Sequence, residues 1–273
     1  MMTDLTEWTG VSPAEQLWWA STASFLLAFA AMWAVSLVDL RVLDGASVWA
    51  KPMKFAAATV LHFATLALVV RFLSGAMQDS KILSFLALAS VIAAIGEVGY
   101  IAFQAARMQA SHFNVDTPFH AAMYSIMAFG AVVLVVASGA VGVAAAIDTD
   151  ASFSAPVRLA IAVGLIGGTA LTLITAFRLG GNMSHHVGAE VATALRMPIT
   201  GWSLTVGDLR PPHFFATHMM QAIPLFGVIA ARLLPSGLAL AAVLLAAVVW
   251  TAVTLILFTI ALSGRPFTAF ISQ

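Results

Sequence analysis

Glu97 lies inside an apolar run, and His62 and His218 lie at a similar depth in two others. An acid with two imidazoles is a set that can pass a proton or hold a metal. At 1.5 Å per residue, His62 falls about 15 Å beyond Pro52, Glu97 about 15 Å before Arg107, and His218 about 12 Å beyond Arg210. An ionisable group at the centre of a membrane costs about 2.5–3.5 kcal/mol or more to insert, so Glu97 marks a functional site by default. Tyr100 is one helical turn from Glu97 and Gln104 continues that face. Gln221 is one turn from His218, and His120 and Tyr124 are one turn apart. Tyr100 and Tyr124 are the only tyrosines. If the helices carrying them adjoin, His62, Glu97, Tyr100, Tyr124, His218 and Gln221 form one proton-exchanging or ligand-binding cluster.

A second set has a different chemistry. Three helices open on Trp49-Ala50-Lys51-Pro52-Met53-Lys54, Asp116-Thr117-Pro118-Phe119-His120 and Asp208-Leu209-Arg210-Pro211-Pro212-His213. Proline is harmless in a first turn, where its missing N–H has no intrahelical partner. Helix N-termini favour anions through their unpaired N–H groups and dipole. Lys51, Lys54, Arg107, His120, Arg210 and His213 therefore form a candidate anion-binding rim for a small solute or a lipid headgroup. The competing reading is that prolines and basic residues are ordinary helix starts and membrane anchors.

His62, Glu97 and His218 could also ligate zinc or non-haem iron, and two histidines on facing helices could hold a b-type haem. The spacing selects none of these, so the cofactor stays unknown. There is no His-Glu-x-x-His and no Glu-x-x-His. His213 and His218 are about 140° apart around a helix, which makes joint ligation awkward. A retinal Schiff base in the last helix is excluded, because the lysines are Lys51, Lys54 and Lys81. Seven-helix zinc hydrolases of the progestin and adiponectin receptor type carry histidines in their last helix, and this one has none. No Gly-x-Ser-x-Gly is present either. The His185-His186 pair reads as solvated, and His112 as a loop residue.

The elements that must position these groups follow from composition. With 61% hydrophobic and 9% charged residues, and a mean hydropathy of +0.99, the chain reads as an all-α polytopic helical membrane protein. Seven apolar runs are expected near 16–38, 52–73, 82–106, 118–146, 157–177, 212–233 and 238–262, forming a single integral membrane domain over 1–273. The N-terminus lacks the pattern of a cleaved signal, so the first helix is expected to stay. Ser12, Pro13 and Glu15 suit a capping box, and Trp8, Trp18 and Trp19 an interfacial aromatic belt.

Arg41, Lys51, Lys54, Arg107, Arg178, Arg196, Arg210 and Arg265 fall on one side of such a bundle. Arg71, Lys81, Arg158 and Arg232 fall on the other. That bias favours N-out, C-in in a cytoplasmic (inner) membrane. Pro224 inside the sixth helix predicts a kink, while Gly164, Gly167 and Gly168 in the fifth permit close backbone approach. Zero net charge gives no reason to expect nucleic acid, the lack of cysteine excludes disulfides and thiolate sites, and the lipid bilayer is the one partner the sequence names. Three functions remain: binding a small, anionic solute for transport or sensing, a metal- or haem-dependent membrane enzyme, or a structural or regulatory subunit.

Overall fold

The computed structural model describes residues 10–43, 45–189 and 194–270; Trp8 lies outside them. Seven helices are long and apolar enough to cross a membrane: α1 (Pro13–Ser36), α2 (Ala50–Arg71), α4 (Lys81–Ala106), α5 (Pro118–Ile147), α6 (Ala155–Gly181), α7 (Arg210–Leu233) and α8 (Ser236–Leu262). A short α3 (Gly75–Gln78) precedes α4. Two small antiparallel ribbons, β1 (Val42–Leu43) with β2 (Ala46–Ser47) and β3 (His186–Val187) with β4 (Gly207–Asp208), and a 3-10 turn at Phe267–Phe270 complete the described elements. The chain is an all-α polytopic membrane protein.

Side-chain caps set several helix starts. Ser12 accepts from the Glu15 N–H ahead of Pro13, Ser80 caps α4, and Thr117 accepts from the His120 N–H ahead of Pro118. The box at α1 is half made, because the Glu15 carboxylate turns to Trp19 Nε1 and Arg71 instead of back to Ser12. Helix ends differ in chemistry. Both α4 and α8 finish in a residue of positive φ, followed by a bond back to the carbonyl five residues earlier: Gln109 N–H to Gln104 O at 2.9 Å and Arg265 N–H to Ile260 O at 3.3 Å. Gly264 fills that position after α8 at φ 76°, whereas Met108 fills it after α4 at φ 55°.

The chain divides into two compact units, Met1–Phe153 and Ser154–Gln273. In the first, α1 packs along α2, α4 along α5, and α2 also meets α4 and α5. Trp18, Phe25, Phe63, Leu66 and Ile101 fill its core. Trp18 is not an interfacial belt residue, since it is fully buried and donates to Ser90 Oγ at 3.1 Å. In the second unit α6 lies close against α7, with α8 touching both. The contact is close because of Gly164 and Gly168: a methyl at Gly164 would sit 2.6 Å from Pro224 Cδ, and one at Gly168 would sit 2.5 Å from Met220 Cγ. Pro224 is thus packed into a glycine gap on α6.

Candidate functional site

In the first unit the polar residues follow α5. Glu97 on α4 is buried, and its carboxylate lies against Gly130; a methyl built there would be 3.8 Å from Glu97 Cγ and 3.9 Å from Oε1. One turn further along α5, the Leu134 backbone lies in hydrogen-bonding reach of the His62 ring from α2. Gly130 and Leu134 share one helical face. Glu97 Oε2 and His62 Nε2 both lack a hydrogen-bond partner, as do Gln104 Oε1, Gln109 Oε1, His120 Nδ1 and Ser138 Oγ in the same unit. An acid and an imidazole from two helices are thereby brought to one strip of a third, each with an unused polar atom.

The nearer end of this unit is ordered by the connection 107–117. Lys51 Nζ meets His112 Nδ1 at 3.2 Å, and Ser111 Oγ meets the same nitrogen at 3.2 Å. The His112 ring stands 5.6 Å from Phe55 and 6.4 Å from Tyr124, and Phe113 is 5.8 Å from Tyr124. Gln104 Nε2 and Asn114 Nδ2 both donate to Ala110 O. His112 is therefore a structured residue between Lys51 and Tyr124, which the sequence did not signal beyond placing it in a loop. Tyr100 packs with Ile101, Met127, Phe55 and Met123. Lys51 is the cation whose field reaches Glu97.

The rim residues have partners of several kinds. Lys54 and Arg107 are exposed, and Arg107 lies over the Phe103 ring at 5.2 Å. His120 is buried with Nδ1 3.9 Å from Asp116 Oδ1. His213 Nδ1 meets Thr175 Oγ1 at 3.0 Å. Arg210 forks onto Asp208, with Nε to Oδ1 at 2.9 Å and Nη2 to Oδ2 at 2.6 Å, and Nη2 also donates to Gly201 O at 2.7 Å.

His218 and Gln221 belong to the second unit, where His218 Nδ1 meets Gln221 Oε1 at 3.2 Å and the His218 ring stands 4.3 Å from that of Phe214. That unit holds a network around Asp208 which the sequence reading passed over. Asp208 Oδ2 accepts from Ser203 N–H at 2.8 Å and lies 3.9 Å from His186 Nε2, opposite it across the β3–β4 ribbon. Burial alone raises this carboxyl; hydrogen bonds and charge from Arg210, with the Ser203 and Arg210 N–H groups, outweigh it and hold Asp208 below the usual aspartate value. His186 is thus built into a polar network instead of solvated. The signal in the sequence was the repeated tripeptide Asp-Leu-Arg at 39–41 and 208–210.

Among the described residues no three of His, Cys, Asp and Glu gather closely enough to hold a metal ion. The donor atoms His62 Nε2 and Glu97 Oε2 are unused, but among the described residues no third ligand stands beside them. What the arrangement can do is take up a proton at Glu97 or His62, or donate to and accept from a small polar guest. Comparison of the chain with protein-family models, with curated proteins and with solved structures finds no significant match.

Proposed function

We propose that this multi-pass membrane protein binds a small, anionic solute for transport or sensing, and that Glu97 and His62 exchange a proton in step with it. The observation that carries the reading is the pair of unused atoms, Glu97 Oε2 and His62 Nε2, brought from α4 and α2 to the Gly130–Leu134 strip of α5. Leaving a buried donor or acceptor unsatisfied costs about 1–3 kcal/mol and more for a charged group, so a purely structural pair would be expected to bond its own protein. Lys51, Lys54 and Arg107 at the same end supply positive charge for an anion. The Arg210 guanidinium is already forked onto Asp208.

The reading is tested by thermal unfolding of the purified protein with acetate, other short carboxylates and inorganic phosphate, at acidic and at neutral pH. A specific site saturated a hundredfold above its Kd stabilises by about 2.7 kcal/mol. The expected result is a saturable rise in Tm for one of these anions that changes with pH, and that keeps its size but loses its pH dependence in Glu97→Gln. A Tm indifferent to every anion at both pH values would remove the solute from the reading. An unchanged pH response in Glu97→Gln would remove the proton exchange.

A further inference from the structure

We infer that Glu97 exchanges its proton with one end of the first unit only, the Lys51 end, through a hydrated inlet formed by Tyr100 and Gln104 of α4 and by Gln109 of the 107–117 connection. This rests on the proposal that Glu97 titrates, and adds which side it answers to. Glu97 Oε2 and Gln104 Oε1 are buried acceptors without donors, on residues separated by about 10.5 Å of helix rise on one face of α4, with Tyr100 between them in its cluster with Ile101 and Met127 and Gln109 Oε1 unused beyond. A run of unsatisfied acceptors is where buried water is held, since each water needs two or more polar partners. Gly130 leaves space beside the carboxylate, because a methyl there would meet nothing nearer than Ala93 Cβ at 3.6 Å.

Toward the Arg71 end His62 Nε2 stands one turn on along α5, and beyond it the surroundings become apolar. Ala94, Ala87, Phe63, Leu66 and Phe25 are buried. The Ser90 hydroxyl is already used, donating to Ala87 O and accepting from Trp18. Ser138 Oγ is unused, but Val141, Ala144 and Ala145 follow it on α5. Ionisable groups stand at both ends of the unit: at the Arg71 end Arg71, Lys81 and Asp148 join Glu15, while the Lys51 end carries more of them. α2 brings Lys51 and Lys54 in its first turn and His62 in its middle; α5 brings His120 and Tyr124 in its first two turns; and the connection brings Arg107, His112 and Asp116. From α1 comes only Glu15, at the Arg71 end and 3.5 Å from Arg71. In the step itself a hydronium at the Lys51 end gives up its proton through water to Glu97 Oε2, and the proton returns the same way. Such access suits a sensor, whereas a carrier must open Glu97 to both ends.

The test uses full-length protein in vesicles, with orientation fixed by labelling a single cysteine at the exposed position Asp150→Cys in this cysteine-free chain. The pH is stepped on one side at a time, and protonation of Glu97 is followed by its infrared carboxyl band, identified by its loss in Glu97→Gln. Steps at the Lys51 end are expected to move the band at least about tenfold faster than steps at the Arg71 end, because an unpaired charge crosses apolar interior slowly. Gln104→Leu should slow the fast response, and Ser138→Ala should leave it unchanged. If Gln104→Leu fails to fold, Gly130→Ala fits the available space, puts a methyl beside the carboxylate, and should slow it instead. Equal rates from both ends, or a rate indifferent to both variants, overturns the one-sided inlet while leaving proton exchange intact. A carboxyl band that never titrates overturns the exchange itself.

Discussion

The tripeptide Asp-Leu-Arg occurs at two corners of the molecule, and the same local fork forms at both. At Asp39-Leu40-Arg41 the Arg41 Nε reaches Oδ1 at 2.8 Å and Nη2 reaches Oδ2 at 2.7 Å; at Asp208-Leu209-Arg210 the matching distances are 2.9 and 2.6 Å. In each the arginine N–H also turns to Oδ1, and one further guanidinium N–H goes to a distant carbonyl, Ala106 O or Gly201 O. The surroundings differ. The Arg41 and Asp39 side chains are 44% and 17% exposed, against 26% and 0% for Arg210 and Asp208. Leu40 is 80% exposed while Leu209 is fully buried. Both aspartates are held below the ordinary carboxyl value, Asp39 by its bonds to Arg41 and Trp49. Three residues thus suffice for the fork, and long-range packing decides how much it weighs.

The largest expected effect comes from Asp208→Asn, which leaves Arg210 half-buried without its counter-charge. Losing one partner of a buried pair costs about 3–5 kcal/mol, read as a lowered Tm in detergent or lipid. Asp39→Asn should cost distinctly less, and its effect should shrink with added salt. Equal losses would show that burial does not separate the corners. Acid tests both forks. The stability supplied by Asp208 is complete above the ordinary carboxyl pKa of about 3.9 and is lost as pH falls through its lower folded value. The acid limb of the stability curve should therefore flatten in Asp208→Asn, and in Asp39→Asn as well, since both carboxyls are held below the ordinary value.

Next in size are the leucines between the forks. Leu209→Ala should cost about 2–5 kcal/mol as a core truncation, and Leu40→Ala no more than about 0.5 kcal/mol. Glycines near the corners give a smaller difference. A methyl at Gly207 would run into Ala261 O, so Gly207→Ala should cost about 1–3 kcal/mol through overpacking. Gly45, at φ 79° with nothing within 4 Å, should lose only the backbone term of about 1 kcal/mol. A reversed order for either pair, measured by thermal unfolding, breaks the comparison.

The spans were legible because each is a hydropathic run, five of the seven with a proline in the first turn, Pro13, Pro52, Pro118, Pro156 or Pro211, and such patterns need only local sequence. Counting 1.5 Å per residue also gave Glu97 and His62 a common depth, and the structure sets them one turn apart along α5. The approach of Lys51, His112 and Tyr124 was not legible. It depends on a connection that reverses at Met108, a residue whose side chain does not announce a left-handed turn as glycine would. His186 was misread for a related reason. Its partner Asp208 lies across a ribbon whose strands are separated by the long 188–206 segment, and nothing local sets that pairing.

The hydrogen bond from Gly207 N–H to Gly264 O, 2.8 Å long, acts as a mechanical stitch. It fastens the strand that carries Asp208 to the turn ending α8, and Trp202 against Phe267, 5.7 Å between ring centres, adds a second fastening beside it. A piston stroke of α8 by a single residue is about 1.5 Å, enough to rupture such a bond. Within this unit a shift of α8 along its axis therefore either breaks this stitch or pulls on the loop that holds Arg210.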